Sequence, residues 1–216
     1  MTSIPPTINF PAWVAAHEHL LKPPVSNKQL PMGTSDFIVQ VVGGPNSRTD
    51  FHVDPYEEWF YQVRGSMHVN LMTEDGPKTV HVSEGDMWML PRLMPHSPQR
   101  PEPGSIGIVI ERIREEGVLE RFQWYCPTCH HLLYVVLYVV ELQVRDIVAD
   151  LPPAFERFTS DETGLRTCGR CAPCTQAADD RGLGQHPVTA GRAHEPRHRH
   201  SHPLRSARLA RPRHVR

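Results

Sequence analysis

Between Asp36 and about Ile113 the chain is cut into short runs rich in Val, Ile, Phe, Tyr and Trp, each closed by a turn signal. The runs are DFIVQVVGG, EEWFYQVRG, SMHVNLMT, KTVHVSEG, DMWMLP and SIGIVIER; the turns fall at GGPN, RG, EDGP, SEGD, PRLMPHSP and PEPG. Strands of this length, separated by turns, predict an all-β sandwich or barrel. The EDGP turn between NLMT and KTVHV predicts a hairpin.

The flanks differ in kind. The chain has 216 residues and 39% hydrophobic content, enough for one ordinary domain with a packed core and an appendage. Residues 11–21 predict a short helix with Pro11 near its first position. KPPVSNKQLPMG reads as a loop, and the charged stretch 114–125 as a turn of helix. A cysteine-bearing extension follows, with a helix at ELQVRDIVADL that ends before Pro152 and Pro153. The tandem LYVVLYVV at 133–140 reads as a buried strand. The resulting division is a domain over 1–125, an extension over 126–174 and a tail over 175–216. That tail holds nine Arg and six His against three acids, a balance of +6, while residues 1–174 carry −7. It lacks hydrophobic periodicity and reads as disordered and solvated. No aromatic residue is interleaved in it, which disfavours a nucleic-acid partner.

No membrane partner is expected. The longest apolar run, Leu132 to Val140, has nine residues, against ~20 for a spanning helix. The start, MTSIPPTINF, lacks the basic and apolar segments of a secretory signal, so the cytoplasm is the expected compartment.

The stretch RTDFHVDPYEEWFYQVRG, residues 48–65, carries more polar groups than a buried strand needs. Along an extended chain Arg48, Asp50, His52, Asp54, Tyr56 and Glu58 share parity, and Glu57 falls on the other face. His52 and Glu58 are the pair that could converge, and the loop-rich stretch EGDMWMLPRLMPHSPQR offers His96. Singly, each reads as a polar residue satisfied by its surroundings. Together, two imidazoles and one carboxylate make the facial triad that favours non-haem iron(II) with open positions.

These spacings resemble the cupin superfamily. His52-x-Asp54, three residues, Glu58, six residues and Gly65 fit its first motif, with Asp54 where the pattern has a second histidine and with the leading glycine displaced to Gly44. Gly85, Pro91 and His96 fit the second, with Leu93 in place of glycine and Arg100 in place of asparagine. The resemblance implies a cupin barrel, a double-stranded β-helix or jelly roll, and the missing histidine favours the three-ligand set His52, Glu58 and His96.

GGPNSRTDFHVDPYEEWFYQVRG, GDMWMLPRLMPHSPQRP and GIVIER further resemble the 3-hydroxyanthranilate 3,4-dioxygenase family of bacterial and fungal type, over roughly residues 5–171. That resemblance implies iron(II)-dependent ring opening of 3-hydroxyanthranilate by dioxygen. The product, 2-amino-3-carboxymuconate semialdehyde, cyclises to quinolinate, a precursor of NAD in tryptophan catabolism by the kynurenine pathway. It also implies roles. The substrate's hydroxyl and amine would chelate iron, and Arg100 would bind its carboxylate through a charged fork. Glu111 would hydrogen-bond the amine or move protons. Arg48, oriented by Asp50, would lie on the dioxygen side, and Glu58 would ligate iron and touch substrate. A homodimer is implied too. The rival readings are a cupin dioxygenase for another hydroxylated aromatic acid and a non-catalytic cupin sensor of a small acid.

Cys126-Pro-Thr-Cys129 and Cys168-Gly-Arg-Cys171 are two Cys-x-x-Cys pairs, and together they predict a closed four-thiolate site for iron or zinc. The resemblance implies the same second, rubredoxin-like site. Cys174 adds an overlapping pair with Cys171, and Cys168 with Cys171 is the favoured closure. A nucleic-acid role for the tail would appear as salt-sensitive DNA binding lost on deleting residues 175–216. A mobility-shift titration of the full chain is expected to show no such binding.

Overall fold

The computed structural model describes residues 4, 6–23, 26–32, 36–115, 117–139, 158, 160 and 164–171. The compact unit Met1–Gly184 contains all of them, and a second unit, Gln185–Arg216, lies outside them. So do the helix expected at ELQVRDIVADL, the tail and Cys174.

The described chain is two antiparallel sheets with one short helix, as the strand–turn rhythm predicts. The helix α1 (Phe10–His17) starts at Asn9, whose side chain accepts the Ala12 amide at 3.1 Å, and Pro11 occupies the first turn, where a missing N–H costs nothing. A single 3₁₀ turn (Glu18–Leu20) follows. The strands are β1 (Asn27–Gln29), β2 (Phe37–Gly43), β3 (Phe51–Val53), β4 (Glu58–Arg64), β5 (Met67–Thr73), β6 (Gly76–Val82), β7 (Met87–Leu90), β8 (His96–Gln99), β9 (Ile106–Arg112), β10 (Leu119–Tyr125) and β11 (Leu132–Val139). One sheet runs β1-β2-β9-β4-β7, the other β11-β10-β3-β8-β5-β6. This alternation of successive strands between two sheets is the jelly-roll arrangement expected of a cupin barrel.

Alternation places the core. In β4, Glu58, Phe60 and Gln62 are buried while Trp59, Tyr61 and Val63 are only partly covered. Phe60 and Val109 from one sheet meet Val69, Leu71 and Val82 from the other in one apolar cluster. On the outer side of the first sheet, Phe10, Trp13 and Val14 of α1 pack against Leu21, Leu30, Val41 and Ile106. The EDGP turn closes the β5–β6 hairpin: Thr73 pairs with Gly76, whose φ of 106° suits a residue without Cβ.

Two readings of the sequence need correction. Residues 119–125, expected as a turn of helix, form β10. Its alternation is inverted, with Glu120, Phe122 and Trp124 inside and Leu119 and Arg121 outside, so a charge occupies a core position and hides the period. The short strands β1, β3 and β8 also fall in segments read as loop or as a polar cluster; β8 even carries Pro98, opposite Val69 within its ladder to β5, a residue that cannot donate to it. LYVVLYVV does enter a strand, β11, which pairs along β10 at the edge of the second sheet, and Leu133, Tyr134 and Val135 are only partly buried. Phe158 is buried and stacks on Trp124, ring centroids 4.5 Å apart.

Phe60 links the sheets beneath the polar end of the interior. Phe60→Ala is expected to cost about 3–5 kcal/mol, read as a fall in the urea midpoint with unchanged m; a loss under about 1 kcal/mol would contradict this packing.

Candidate metal centre

The interior of the barrel has an apolar end and a charged one. At the charged end lie four buried carboxylates, Asp54, Glu58, Glu111 and Glu120, with buried His52, His96 and Arg114. His52 and His96 are direct cross-strand partners in β3 and β8 of the second sheet. Glu58 comes from β4 in the first sheet, opposite Glu111 in β9. The chain crosses from one sheet to the other through the bend at Pro55 and Tyr56. So His52 and Glu58 converge because two sheets face each other, not because they share parity on one strand. Glu57 is exposed and outside the cluster.

His52, Glu58 and His96 each offer an atom within 4.8 Å of the others. Glu58 Oε1 is 2.9 Å from His96 Nε2 and 3.4 Å from His52 Nδ1. The outer nitrogen of each ring already faces an acceptor: His96 Nδ1 the Met94 carbonyl at 3.0 Å, His52 Nε2 the Glu120 carboxylate at 3.0 Å. If those outer nitrogens carry the protons, both inner nitrogens present lone pairs. Buried Glu58 Oε1 then accepts no hydrogen bond, although it is enclosed. Three lone-pair donors aimed at one point need a cation between them.

The electrostatics agree. Burial disfavours a charged imidazole, yet Glu120 and Glu58 outweigh it and push His52 up to about 10. Burial likewise opposes ionisation of Glu58, but His96 and His52 hold it well below the usual carboxylate range. With both imidazoles neutral, as metal ligation requires, Asp54, Glu58, Glu111 and Glu120 outnumber the one guanidinium of Arg114, although burial raises Asp54 to about 7. A divalent metal answers that deficit, and the two-His, one-carboxylate donor set fits iron(II) with positions left open.

Arg114, exposed on no face, was not singled out from sequence. Its guanidinium pairs with Asp54 through Nη2, with Glu111 through Nη1 at 2.7 Å and with Glu120 through Nε. Burial works against its charge, but Glu111, Glu120 and Asp54 hold it firmly protonated. Arg112 lies over the Tyr56 ring, 5.1 Å from its centroid.

Arg48 and Arg100, also singled out from sequence, are each anchored by neighbours of their own. Arg48 is joined to fully buried Asp50 by a two-point ion pair, one contact at 3.1 Å, and its backbone is clamped by Gln99 at 2.8 and 3.2 Å. Arg100 follows β8, with its guanidinium 2% exposed. Its Nη1 donates to Gln62 Oε1 and to Met67 Sδ, both at 2.7 Å, and no carboxylate pairs with it among the described residues. Burial lowers it to about 10, so it stays cationic at neutral pH. Space for it comes from Gly107, where a Cβ would sit 2.8 Å from Nη1 and 2.9 Å from Nη2. Gln62 and Gly107, cross-strand partners in β4 and β9, thus join the site without any signal in the sequence beyond inward parity. Leu93 stands where the second motif carries glycine and keeps that backbone, at φ 60°, with its amide bonded to the Asp54 carbonyl at 2.7 Å.

The cysteine pairs meet as expected. Cys126, Cys129, Cys168 and Cys171 form one cluster, with Sγ separations of 3.3 Å (126–171), 3.6 Å (129–168) and 3.4 Å (129–171). A tetrahedron of thiolates about 2.3 Å from zinc or iron has edges of about 3.8 Å, close to these values. The amides of Thr128 and Cys129 donate to Cys126 Sγ, each at 3.4 Å, and Arg170 to Cys168 Sγ at 3.4 Å, as befits thiolates. Backbone amides of Cys171 and Arg170 hold the Cys168 thiol below its ordinary value.

Residues 1–159 match the family described as 3-hydroxyanthranilic acid dioxygenase. Among similar proteins, 3-hydroxyanthranilate 3,4-dioxygenase of Burkholderia lata is 52% identical over 76% of this chain and 90% of its own length. That of Paraburkholderia phytofirmans gives the same figures, and that of Shewanella woodyi is 49% identical over 76% of this chain and 83% of its own. Among solved structures, a mutant of Bacillus subtilis oxalate decarboxylase overlaps 40% of this chain and 24% of its own at 25% identity and a TM-score of 0.34, too partial a match to argue from.

Cys126→Ser opens the four-thiolate cluster without touching the His/Glu centre. Elemental analysis of the purified variant is expected to show about one metal fewer per chain with catalytic iron retained; an unchanged content would refute the cysteine site.

Proposed function

This chain belongs to the 3-hydroxyanthranilic acid dioxygenase family, and we propose that it opens the ring of 3-hydroxyanthranilate with dioxygen, using iron(II) held by His52, Glu58 and His96. The product would be 2-amino-3-carboxymuconate semialdehyde, which closes to quinolinate on the route to NAD. The second site would hold zinc or iron in a structural role, and the working unit would be a homodimer in the cytoplasm.

One observation carries the substrate reading: among the described residues, buried Arg100 has no anionic partner of its own. An uncompensated buried guanidinium is costly, and a ligand carboxylate received bidentately repays that cost. Gln62 and Met67 hold the fork in place, and Gly107 gives it room. The fork therefore waits in position rather than folding onto a neighbouring acid.

Iron(II), when bound, supplies the redox chemistry that lets a closed-shell aromatic ring react with dioxygen. The protein supplies position and charge. Glu111 has Oε2 engaged by Arg114, which leaves Oε1 to accept a proton from the substrate amine or hydroxyl. Arg48, stiffened by Asp50, puts a permanent cation where negative charge grows on the oxygen atoms. Phe122 stacks on His52, centroids 4.9 Å apart, and shields that ligand from water.

The carboxylate fork is testable with 2-aminophenol, the same chelating pair without a carboxylate. Arg100→Ala is expected to lower kcat/KM for 3-hydroxyanthranilate about 10²-fold or more while leaving that for 2-aminophenol within about threefold. Equal losses on both compounds, or none, would remove Arg100 from carboxylate binding.

A further inference from the structure

Three further carboxylates stand beside the residues of the metal centre. Asp54 occupies the place where the cupin pattern has a ligating histidine, and with His52 and Glu120 it forms a second group whose ligand atoms lie within 4.8 Å of one another. Glu111 is the direct cross-strand neighbour of Glu58 on the inward face, where such Cβ atoms stand about 4.5–5.5 Å apart. A divalent ion in this field has every reason to collect a fourth or fifth oxygen, since carboxylates are strong ligands for it. Doing so would fill the positions that a substrate and a gas must share.

Arg114 contacts all three. Its three nitrogens each face a different acid: Nη2 Asp54, Nη1 Glu111, Nε Glu120. The other Asp54 oxygen accepts the Tyr56 amide at 2.8 Å, and the other Glu120 oxygen accepts from His52 Nε2. Asp54 thus has both oxygens engaged and Glu111 has one, while Glu120 Oε1 stands against Arg114 Nε as an ion pair without a hydrogen bond. A planar fork with fixed donor directions suits this sharing, whereas a lysine ammonium would hold its partners less rigidly. The guanidinium is buried at 3% exposure, so water does not compete for these pairs.

We propose that Arg114 is a positioning residue that holds Asp54 and Glu111 off the iron, and so keeps the centre three-liganded and open. This rests on the iron-triad reading above. It accounts for the loss of the fourth cupin ligand in a specific way: the histidine is replaced by an acid whose charge is spent on Arg114 rather than on the metal. It also gives Glu120 a use, as the acceptor that orients His52 through Nε2 and leaves Nδ1 toward the metal. Without Arg114, Asp54 and Glu111 lose their counter-ion, and the nearest cation is the metal.

The test reads open positions directly, with nitric oxide as the probe on the full chain loaded anaerobically with iron(II). Wild type is expected to bind it and give the spin-3/2 nitrosyl signal in electron paramagnetic resonance. Arg114→Met is expected to retain iron but bind nitric oxide about tenfold or more weakly, and the triple variant Arg114→Met/Asp54→Asn/Glu111→Gln to recover the signal. Arg114→Lys, the milder change, is expected to fall between. Nitric oxide affinity in an iron-loaded Arg114→Met equal to wild type, or a weakened affinity that the triple variant leaves unrecovered, overturns the proposal. Should the variants fail to fold, X-ray absorption on wild-type iron protein decides: two imidazoles and one carboxylate support it, and a further carboxylate ligand sinks it. Wild type that binds iron(II) yet no nitric oxide would instead count against the open triad itself.

Discussion

A buried carboxylate survives only beside positive charge, and this barrel gathers four of them around two histidines at one end of its interior. Arg114 neutralises one charge and touches three of the four acids. The remainder is left for a divalent ion at His52, Glu58 and His96. The rest of the architecture serves this balance. Two sheets must face each other for Glu58 to reach the histidines, β10 must bring Glu120 inward, and the apolar cluster around Phe60 must hold the sheets at that separation.

The second charge in the interior is handled differently. Among the described residues Arg100 is buried without an acid, held by a neutral amide and a thioether. The metal end is therefore short of positive charge and the Arg100 end is short of negative. A ligand that chelates a cation through neutral or weakly acidic groups and carries one carboxylate satisfies both. Under the proposed function, that complementarity would separate 3-hydroxyanthranilate from aromatics lacking the acid group.

The strand–turn rhythm made the barrel legible, and His52, Glu58, His96 and the four cysteines, which the structure brings into two clusters, could be picked out from motif spacing; Arg48, Arg100 and Glu111 were named only through the family resemblance. What stayed hidden is instructive. Parity along residues 48–58 found the right pair for a reason the fold does not use, because the chain changes sheets at Pro55. Glu120 was invisible because a charged residue in the inward register reads as the surface face of a strand, or as no strand at all, and Arg114 because it lies in the loop between β9 and β10, where no register applies. Gln62 and Gly107 matter only through what lies across from them, and no local pattern reports a neighbour from a distant strand. Sequence periodicity assigns apolar cores well; it fails where the core is polar, which is where the site was built.

The measurement that bears most directly on the central claim is a single-turnover experiment on the full chain carrying one equivalent of iron(II), with 3-hydroxyanthranilate bound anaerobically and dioxygen then admitted. The account predicts that one dioxygen is consumed for each ring opened, with the semialdehyde absorbance rising as substrate falls, and that His96→Ala abolishes it. Substrate that persists in the iron-loaded wild type, or turnover that survives loss of His96, would contradict it.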